Sequence, residues 1–206
     1  MELHARDMVN WFELANEKIK QNKSYLTSLD QPIGDGDHGI NMARGYQEAV
    51  NRLLAKEYSE PSEVLKDASM ALLSKVGGAS GPLYGTAFLK MAMAVKGKDY
   101  LDLESLSVGV KAALDGLKQR GKSETGEKTM IDVWSPVATY FSNPSSFHSN
   151  GLVETARTAM EKTKDTMATK GRASYFKEKS IGHIDPGSAS SCYIFEALAE
   201  VIGEKE

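Results

Sequence analysis

Residues 30–41 read Asp-Gln-Pro-Ile-Gly-Asp-Gly-Asp-His-Gly-Ile-Asn, just before a segment with helical periodicity. Three carboxylates, Asp30, Asp35 and Asp37, fall within eight residues and are interleaved with three glycines, Gly34, Gly36 and Gly39. Carboxylates this close repel one another unless a cation lies among them. Mg2+ prefers oxygen ligands, and it commonly takes one or two carboxylates together with phosphate and water. The loop therefore predicts a Mg2+ site and, through the metal, a phosphorylated ligand.

Two known motifs resemble this loop, and neither fits. Gly34, Gly36 and Gly39 match the dinucleotide-binding fingerprint, but no β-branched strand precedes them, and two variable positions are Asp, which would repel a bare pyrophosphate. As a calcium loop beginning at Asp35, the sequence would have its glycine one place too early and Tyr46 in place of the bidentate Glu. The interpretation as a Mg2+ site is the one that remains.

The composition is that of an ordinary globular protein, with 41% hydrophobic and 26% charged residues. A net charge of −3 and the absence of a basic patch argue against binding to nucleic acid. The single cysteine, Cys192, excludes an internal disulfide and a Cys-based zinc site. The sequence shows neither a signal-peptide core nor a run of eighteen apolar residues. We therefore expect a cytoplasmic protein without a membrane partner.

Apolar residues recur at helical spacing along almost the whole chain, and period-2 alternation is nearly absent. Eight such faces predict eight helices, and no linker or repeat divides them. We therefore expect one all-α domain over residues 1–206. The chain from Asn22 should fray into the aspartate loop, and the seventh helix should run from about Asn150 to Thr169. Asp185 suits the N-cap of the last helix, since Pro186 follows it.

In an up-and-down bundle, connections 1–2, 3–4, 5–6 and 7–8 lie at the same end. These four carry the Asp, Gly, Ser and Arg clusters of the chain, namely the aspartate loop, residues 77–81, residues 121–129, and residues 170–187. The other three connections carry none of these clusters. The pattern predicts a single pocket at one end, of a size to hold Mg2+ and a nucleotide-sized polyphosphate.

Three features of these connections suggest roles. The run Gly77-Gly-Ala-Ser-Gly81 can present bare N–H groups to an anion at a helix start, although taken alone it is more typical of a tight turn. His38 lies beside Asp37 at a helix start, where it can contact a phosphate or orient a ligand. Arg172, in a glycine-containing loop, can move in against charge that develops during phosphoryl transfer.

Six motifs, taken in order, resemble the L subunit family of dihydroxyacetone kinases. They are Gly34-Asp-Gly-Asp-His-Gly-Ile-Asn41, Gly77-Gly-Ala-Ser-Gly81, Gly121, Thr129-Met-Ile-Asp132, Gly171-Arg-Ala-Ser-Tyr175 and Asp185-Pro-Gly187. The resemblance covers nearly the whole chain, and no motif departs from the family pattern. It implies a barrel of eight antiparallel helices with a nucleotide site at one end.

The resemblance also implies a set of site residues. Two Mg2+ ions would be bound by Asp30, Asp35 and Asp37 and would bridge the phosphates of ADP or ATP. The nucleotide would be contacted by His38, Gly39, Ile40, Asn41, Ala79 and Ser80. Gly121 and Met130 would lie by the adenine, and the site would be closed by Arg172, Asp185, Pro186 and Gly187. Arg172 and His38 are the candidate catalytic residues.

The partners also follow from the resemblance. In this family a separate K subunit holds the hydroxyketone covalently on a histidine, and the L subunit delivers the phosphoryl group. Since the chain begins directly at helix one, we expect the free-standing, phosphoenolpyruvate-dependent type. In that type bound ADP stays in place and is recharged by a phosphohistidine-carrying protein of the phosphotransferase system, the M subunit. The oligomeric state is left open, a homodimer included.

Four alternatives stay open at this point. ATP could serve as an exchangeable donor, or a different K-type partner could present another hydroxyketone. The domain could be a helical adaptor with a structural cation and no turnover. It could also be a Mg2+-dependent phosphohydrolase, for which His38 is the only nearby base.

Overall fold

The computed structural model describes residues 1–205. In this part of the chain it has nine α-helices: α1 Ala5–Gln21, α2 Lys23–Asp30, α3 His38–Leu53, α4 Pro61–Lys75, α5 Ser80–Ala94, α6 Leu103–Gly121, α7 Ile131–Phe141, α8 Ser149–Lys162 and α9 Pro186–Gly203. The 3-10 segments are Pro144–Ser146, Thr163–Asp165 and Arg172–Ser180. No strand occurs among the described residues, and the expected all-α class is confirmed. None of these helices is both long and apolar enough to cross a membrane.

Eight of the helices close into a ring. Helix α1 packs on α3, the contacts continue in order from α3 to α9, and α9 packs back on α1. Each helix turns its apolar face inward, because an amphipathic helix is stable only when its apolar face is buried against other elements. Helix α2 packs against α3 and α9 and is not part of the ring. The chain thus forms the expected eight-helix barrel with one additional short helix.

Aromatic side chains from four helices fill the centre of the ring. Those of Trp11, Phe12, Phe88, Trp134 and Phe195 are each at most 1% exposed. The ring centroids of Phe12 and Phe88 are 4.9 Å apart, and those of Trp134 and Phe195 are 4.7 Å apart. Such edge-to-face pairs add to the free energy gained from burying the rings. The interior of the barrel is therefore filled by side chains where these aromatic residues lie.

Replacing Trp134 by alanine should lower the free energy of unfolding by about 3 to 5 kcal/mol, because the change leaves a large cavity in this cluster. Met93→Ala is the control, because Met93 is 63% exposed on α5 and should change stability by less than about 0.5 kcal/mol. Urea denaturation followed by circular dichroism measures both values. Equal losses in the two variants would contradict the packing described here.

The expectation that the chain frays after Asn22 is wrong. The Asn22 side-chain amide donates to the carbonyl of Lys18 at 2.9 Å and closes α1, and α2 begins at the next residue. Only Leu26 and Asp30 of α2 are buried, so its eight residues give too weak an apolar period to be read as a helix. As a consequence Asp30 lies in the last turn of a helix, not in a loop.

The seventh helix of the sequence prediction also ends earlier than expected. It corresponds to α8, which stops at Lys162 instead of continuing to Thr169. The buried Thr163 hydroxyl donates to the carbonyl of Met160 at 2.6 Å and accepts from the N–H of Asp185 at 3.0 Å, which turns the chain toward the start of α9. The polar loop expected beyond it contains the 3-10 segment Arg172–Ser180.

Candidate functional site

A cavity of about 180 Å3 lies where four connections meet, and we call it the main cavity because most of the predicted site residues line it. These are the connections before α3, α5, α7 and α9, so the four clusters predicted to share one end of the bundle do converge. At the opposite end, a Glu60 side-chain oxygen accepts from the N–H of Gly97 at 3.1 Å and joins two of the other connections.

Helix starts face this cavity from four sides. His38, Ser80 and Pro186 are the first residues of α3, α5 and α9, and Met130 is the N-cap of α7; all four line the cavity. The first N–H groups of a helix have no partner within the helix, and the helix start carries a partial positive charge. Four such ends around one cavity make a binding environment for an anion such as a polyphosphate.

The three aspartates form a cluster at the edge of the cavity. One carboxylate oxygen from each of Asp30, Asp35 and Asp37 lies within 4.8 Å of the others. The Asp30 carboxylate is buried and accepts from the N–H groups of Asp37 at 2.9 Å and His38 at 3.1 Å, which fixes it against the start of α3. Three acidic oxygens at this spacing are a donor set suited to Mg2+. The residues therefore fit the predicted metal.

Two glycines make this cluster possible. A Cβ on Gly34 would lie 1.9 Å from an Asp30 carboxylate oxygen, so the carboxylate packs directly on the bare Cα. Gly36 has a φ of +73°, a left-handed conformation that glycine adopts without strain. The aspartate loop can fold back on Asp30 because these two positions carry no side chain.

Arg172 crosses the cavity toward this cluster. It begins the 3-10 segment before α9, and its guanidinium donates to a carboxylate oxygen of Asp35. Both side chains are at least 40% exposed, and an exposed ion pair contributes little to stability. The guanidinium can therefore leave Asp35 for a bound phosphate at a small free-energy cost.

His38 ties three helix starts together. One ring nitrogen lies 2.9 Å from the Ser190 hydroxyl of α9, and the other lies 3.2 Å from the Ser80 hydroxyl of α5. Tyr84 extends this network, with its hydroxyl 2.7 Å from that of Ser190. Burial lowers the pKa of His38 to about 4, against the opposing effect of Asp37. The ring is thus neutral at pH 7 and a poor base, which weighs against the phosphohydrolase reading.

This buried ring makes stability depend on pH. The folded-state pKa of His38 is depressed to about 4 from its ordinary 6.5, so the ring contributes stability above pH 6.5 that is lost as the pH falls toward 4. In metal-free protein, the free energy of unfolding should fall by about 2 to 3 kcal/mol more for wild type than for His38→Gln between pH 7 and pH 4.5. Urea denaturation in EDTA at both pH values measures this, and equal losses would contradict it.

The fifteen predicted site residues do not all line the main cavity. Twelve of them line the main cavity: Asp30, Asp35, Asp37, His38, Asn41, Ala79, Ser80, Met130, Arg172, Asp185, Pro186 and Gly187. Gly121 lines an adjoining cavity of about 370 Å3 that shares Met130 with the first and has Leu83 and Leu117 in its wall. Gly39 and Ile40 lie outside both linings, with Gly39 packed on α2 and Ile40 47% exposed.

Sequence reasoning missed Lys128, which also lines the main cavity. It lies in the polar connection before α7, where a lysine is ordinarily solvated, yet it is only 1% exposed. Its backbone φ is +61°, an uncommon value for a residue with a side chain. No local sequence pattern signals such a burial. Asp132 supports the same connection, because its carboxylate accepts from the N–H of Thr129 at 2.8 Å.

Residues 32–200 match the DAK2 domain family. Among curated relatives, the PEP-dependent dihydroxyacetone kinase 1, ADP-binding subunit DhaL, of Listeria innocua is 49% identical over 93% of this chain and 94% of its own length. The PTS-dependent dihydroxyacetone kinase, ADP-binding subunit DhaL, of Lactococcus lactis is 47% identical over 94% and 96%. The PEP-dependent subunit DhaL of Escherichia coli is 41% identical over 97% and 98%.

The dihydroxyacetone kinase of C. freundii has been solved in its native form and in complex with AMP-PNP and Mg2+. These structures match this chain with TM-scores of 0.73 and 0.74 at 24% sequence identity. The match covers 94% of this chain, which spans only about a third of that enzyme's chain (34% and 33%). The helical barrel is thus a fold that the two proteins share.

Proposed function

The chain belongs to the DAK2 domain family, and from that premise we propose that it is the ADP-binding subunit of a phosphoenolpyruvate-dependent dihydroxyacetone kinase. The observation that carries the proposal is the meeting of three carboxylates and four helix starts at one cavity. Cations and helix dipoles on opposite sides of a polyphosphate would neutralise its charge together. Relatives with this name match the chain over almost their full length.

In this proposal the main cavity holds the phosphates and the adjoining one the adenine. Asp30, Asp35 and Asp37 would hold two Mg2+ ions, which neutralise charge on the phosphates of ADP or ATP when they are bound. His38, Asn41, Ala79 and Ser80 contact the nucleotide in this proposal, because all four line the main cavity, whereas Gly39 and Ile40 lie outside both linings and take no part in it. Gly121 and Met130 border the adenine, where the walls are largely apolar.

No side chain of this subunit has to act as a nucleophile. Backbone N–H groups at the starts of α3 and α5 stabilise phosphate oxygens, and Arg172 stabilises charge on the transferring group. His38, neutral and bonded on both ring nitrogens, holds these helix starts in register. Arg172 and the turn Asp185-Pro186-Gly187 close over the site and exclude water. Catalysis is then positioning together with electrostatic stabilisation.

The phosphoryl group would pass to dihydroxyacetone that is held on a K subunit. The bound ADP would stay in place and receive its next phosphoryl group from a phosphohistidine-carrying M subunit of the phosphotransferase system. The two alternatives, ATP as an exchangeable donor and a different hydroxyketone as acceptor, would use the same site. Assays that compare phosphoryl donors and hydroxyketone acceptors therefore distinguish them from this proposal.

Freshly purified protein tests the proposal against the adaptor alternative. Native mass spectrometry should find one ADP with two Mg2+ ions on each chain, and the absorbance spectrum should show the adenine. Protein stripped with EDTA and desalted is the control, and it should regain Mg-ADP when both components are added. A chain that carries no nucleotide and fails to bind added Mg-ADP would overturn the proposal.

A further inference from the structure

The ammonium group of Lys128 is bound entirely by main-chain carbonyls. Its Nζ donates to the carbonyl oxygens of Thr163, of Thr166 at 3.1 Å, and of His183. An ammonium has three N–H donors, so these three bonds use all of them. A buried lysine is rare unless its charge has such partners. Lys128 therefore links the connection before α7 to the connection between α8 and α9.

The three carbonyls mark the base of the segment that carries Arg172. Thr166 and His183 lie on either side of residues 167–182, so one nitrogen holds both ends of this segment together. The N–H of Gly182 donates to the carbonyl of Lys164 at 2.7 Å and closes the same base. Thr163 extends the tie toward α9 through the N–H of Asp185.

Above this base the segment has few attachments of its own. Ala168 and Ala173 form a small apolar cluster with Ile33 of the aspartate loop, on which the partly buried Phe176 packs. The N–H of Thr169 also donates to the carbonyl of Glu127 at 3.3 Å. Inside the segment, the Ser180 hydroxyl accepts from the N–H of Ala168 at 2.8 Å. A cluster this small buries little apolar area, so the fastened base is needed to hold the segment over the cavity.

We propose that Lys128 is a positioning residue: its ammonium clamps the base of residues 167–182 and thereby places Arg172 against the aspartate loop. Without the ammonium, the buried carbonyl of Thr163 and the part-buried carbonyls of Thr166 and His183 lose this donor, and water must enter the base of the segment to replace it. The segment then opens, and Arg172 is no longer held at the cavity. The effect on phosphoryl transfer rests on the proposed function, but the clamp itself does not.

Limited proteolysis reads the clamp directly. Trypsin sites at Lys170, Arg172, Lys177 and Lys179 lie within the segment. Lys128→Met keeps the length of the side chain and removes its donors, and cleavage within the segment should become at least about 10-fold faster. Lys164→Met, an exposed residue of the neighbouring 3-10 turn, should cleave like wild type. Wild-type protection in folded Lys128→Met would overturn the proposal.

A double-mutant cycle tests whether Lys128 acts through Arg172. Lys128→Met alone should slow phosphoryl transfer about 10- to 100-fold and change the affinity for Mg-ADP by less than about 3-fold. When Arg172 is already alanine, adding Lys128→Met should slow transfer by less than about 3-fold further. Equal factors in both backgrounds would show a general loss of stability and overturn the proposal. If wild type transfers no phosphate, the proposed function fails while the proteolysis still reports on the clamp.

A second variant covers the case in which Lys128→Met does not fold. Lys128→Arg keeps the charge, but its planar guanidinium cannot direct three bonds from a single nitrogen. Its circular dichroism should match wild type, while cleavage of the segment becomes about 5-fold faster or more. A folded Lys128→Arg that is cleaved at the wild-type rate would contradict the clamp.

Discussion

Replacing Asp37 by asparagine should lower the affinity for Mg-ADP by about 100-fold or more, because even indirect partners of metal ligands commonly account for 10- to 100-fold. The substitution removes one of three carboxylates whose oxygens lie within 4.8 Å of one another. Asparagine is nearly the same size, so the helical fold and its stability should be preserved. Asp35→Asn should behave in the same way. Asp30 is a less clean test, since its carboxylate also accepts from the start of α3.

Isothermal titration calorimetry of nucleotide-free protein with Mg-ADP measures this loss. Asp115→Asn is the matched control, because Asp115 lies on α6 and pairs with Lys111 away from the cavity. Chelation of Mg2+ should release ADP from wild type and reproduce the variant's behaviour. A purified Asp37→Asn protein that still carried stoichiometric ADP and Mg2+ would contradict the assignment of the aspartate cluster as the Mg2+ site.

Arg172→Ala should slow phosphoryl transfer by about 10^3-fold, the lower end of what an arginine that stabilises a transferring phosphoryl group contributes. Binding of Mg-ADP should change only a few-fold, because the guanidinium acts on charge that develops in the transition state. The side chain is exposed and pairs with Asp35, so its removal takes no contact from the core. Arg172→Lys should recover little of the lost rate of phosphoryl transfer, since an ammonium lacks the planar set of donors of a guanidinium.

Steady-state kinetics with a K subunit, together with calorimetry for ADP, separate turnover from binding. Lys177→Ala is the control, since Lys177 is an exposed residue of the same 3-10 segment. A fall in ADP affinity as large as the fall in turnover would mean that Arg172 serves to bind the nucleotide, and its assignment to the transfer step would be wrong.

The clustering of the site could be predicted from sequence because up-and-down topology fixes which connections share an end. Asp35 and Asp37 are close in sequence, so their proximity is a local property of the loop. Arg172 was identified by residue type and loop context, and it does reach the aspartate loop. These features follow from helix order and from residues that lie near one another in the chain.

Features set by distant contacts could not be predicted. His38 was recognised as a site residue, but its bond to Ser190 joins positions 152 residues apart, which no local spacing reveals. Lys128 belongs to a loop whose composition indicates exposure, and only tertiary structure provides its carbonyl partners. The short helix α2 was missed because it buries only two side chains. In each case the packing of the barrel decides the outcome.

Formation of dihydroxyacetone phosphate tests the central claim most directly. The purified chain, a K subunit and dihydroxyacetone are incubated with phosphoenolpyruvate and the phosphotransferase proteins, or with ATP as the donor. We expect product with the phosphoenolpyruvate system, while the ADP on this chain stays bound through many turnovers, and little product with ATP. No product with either donor, from a chain that holds Mg-ADP, would contradict it.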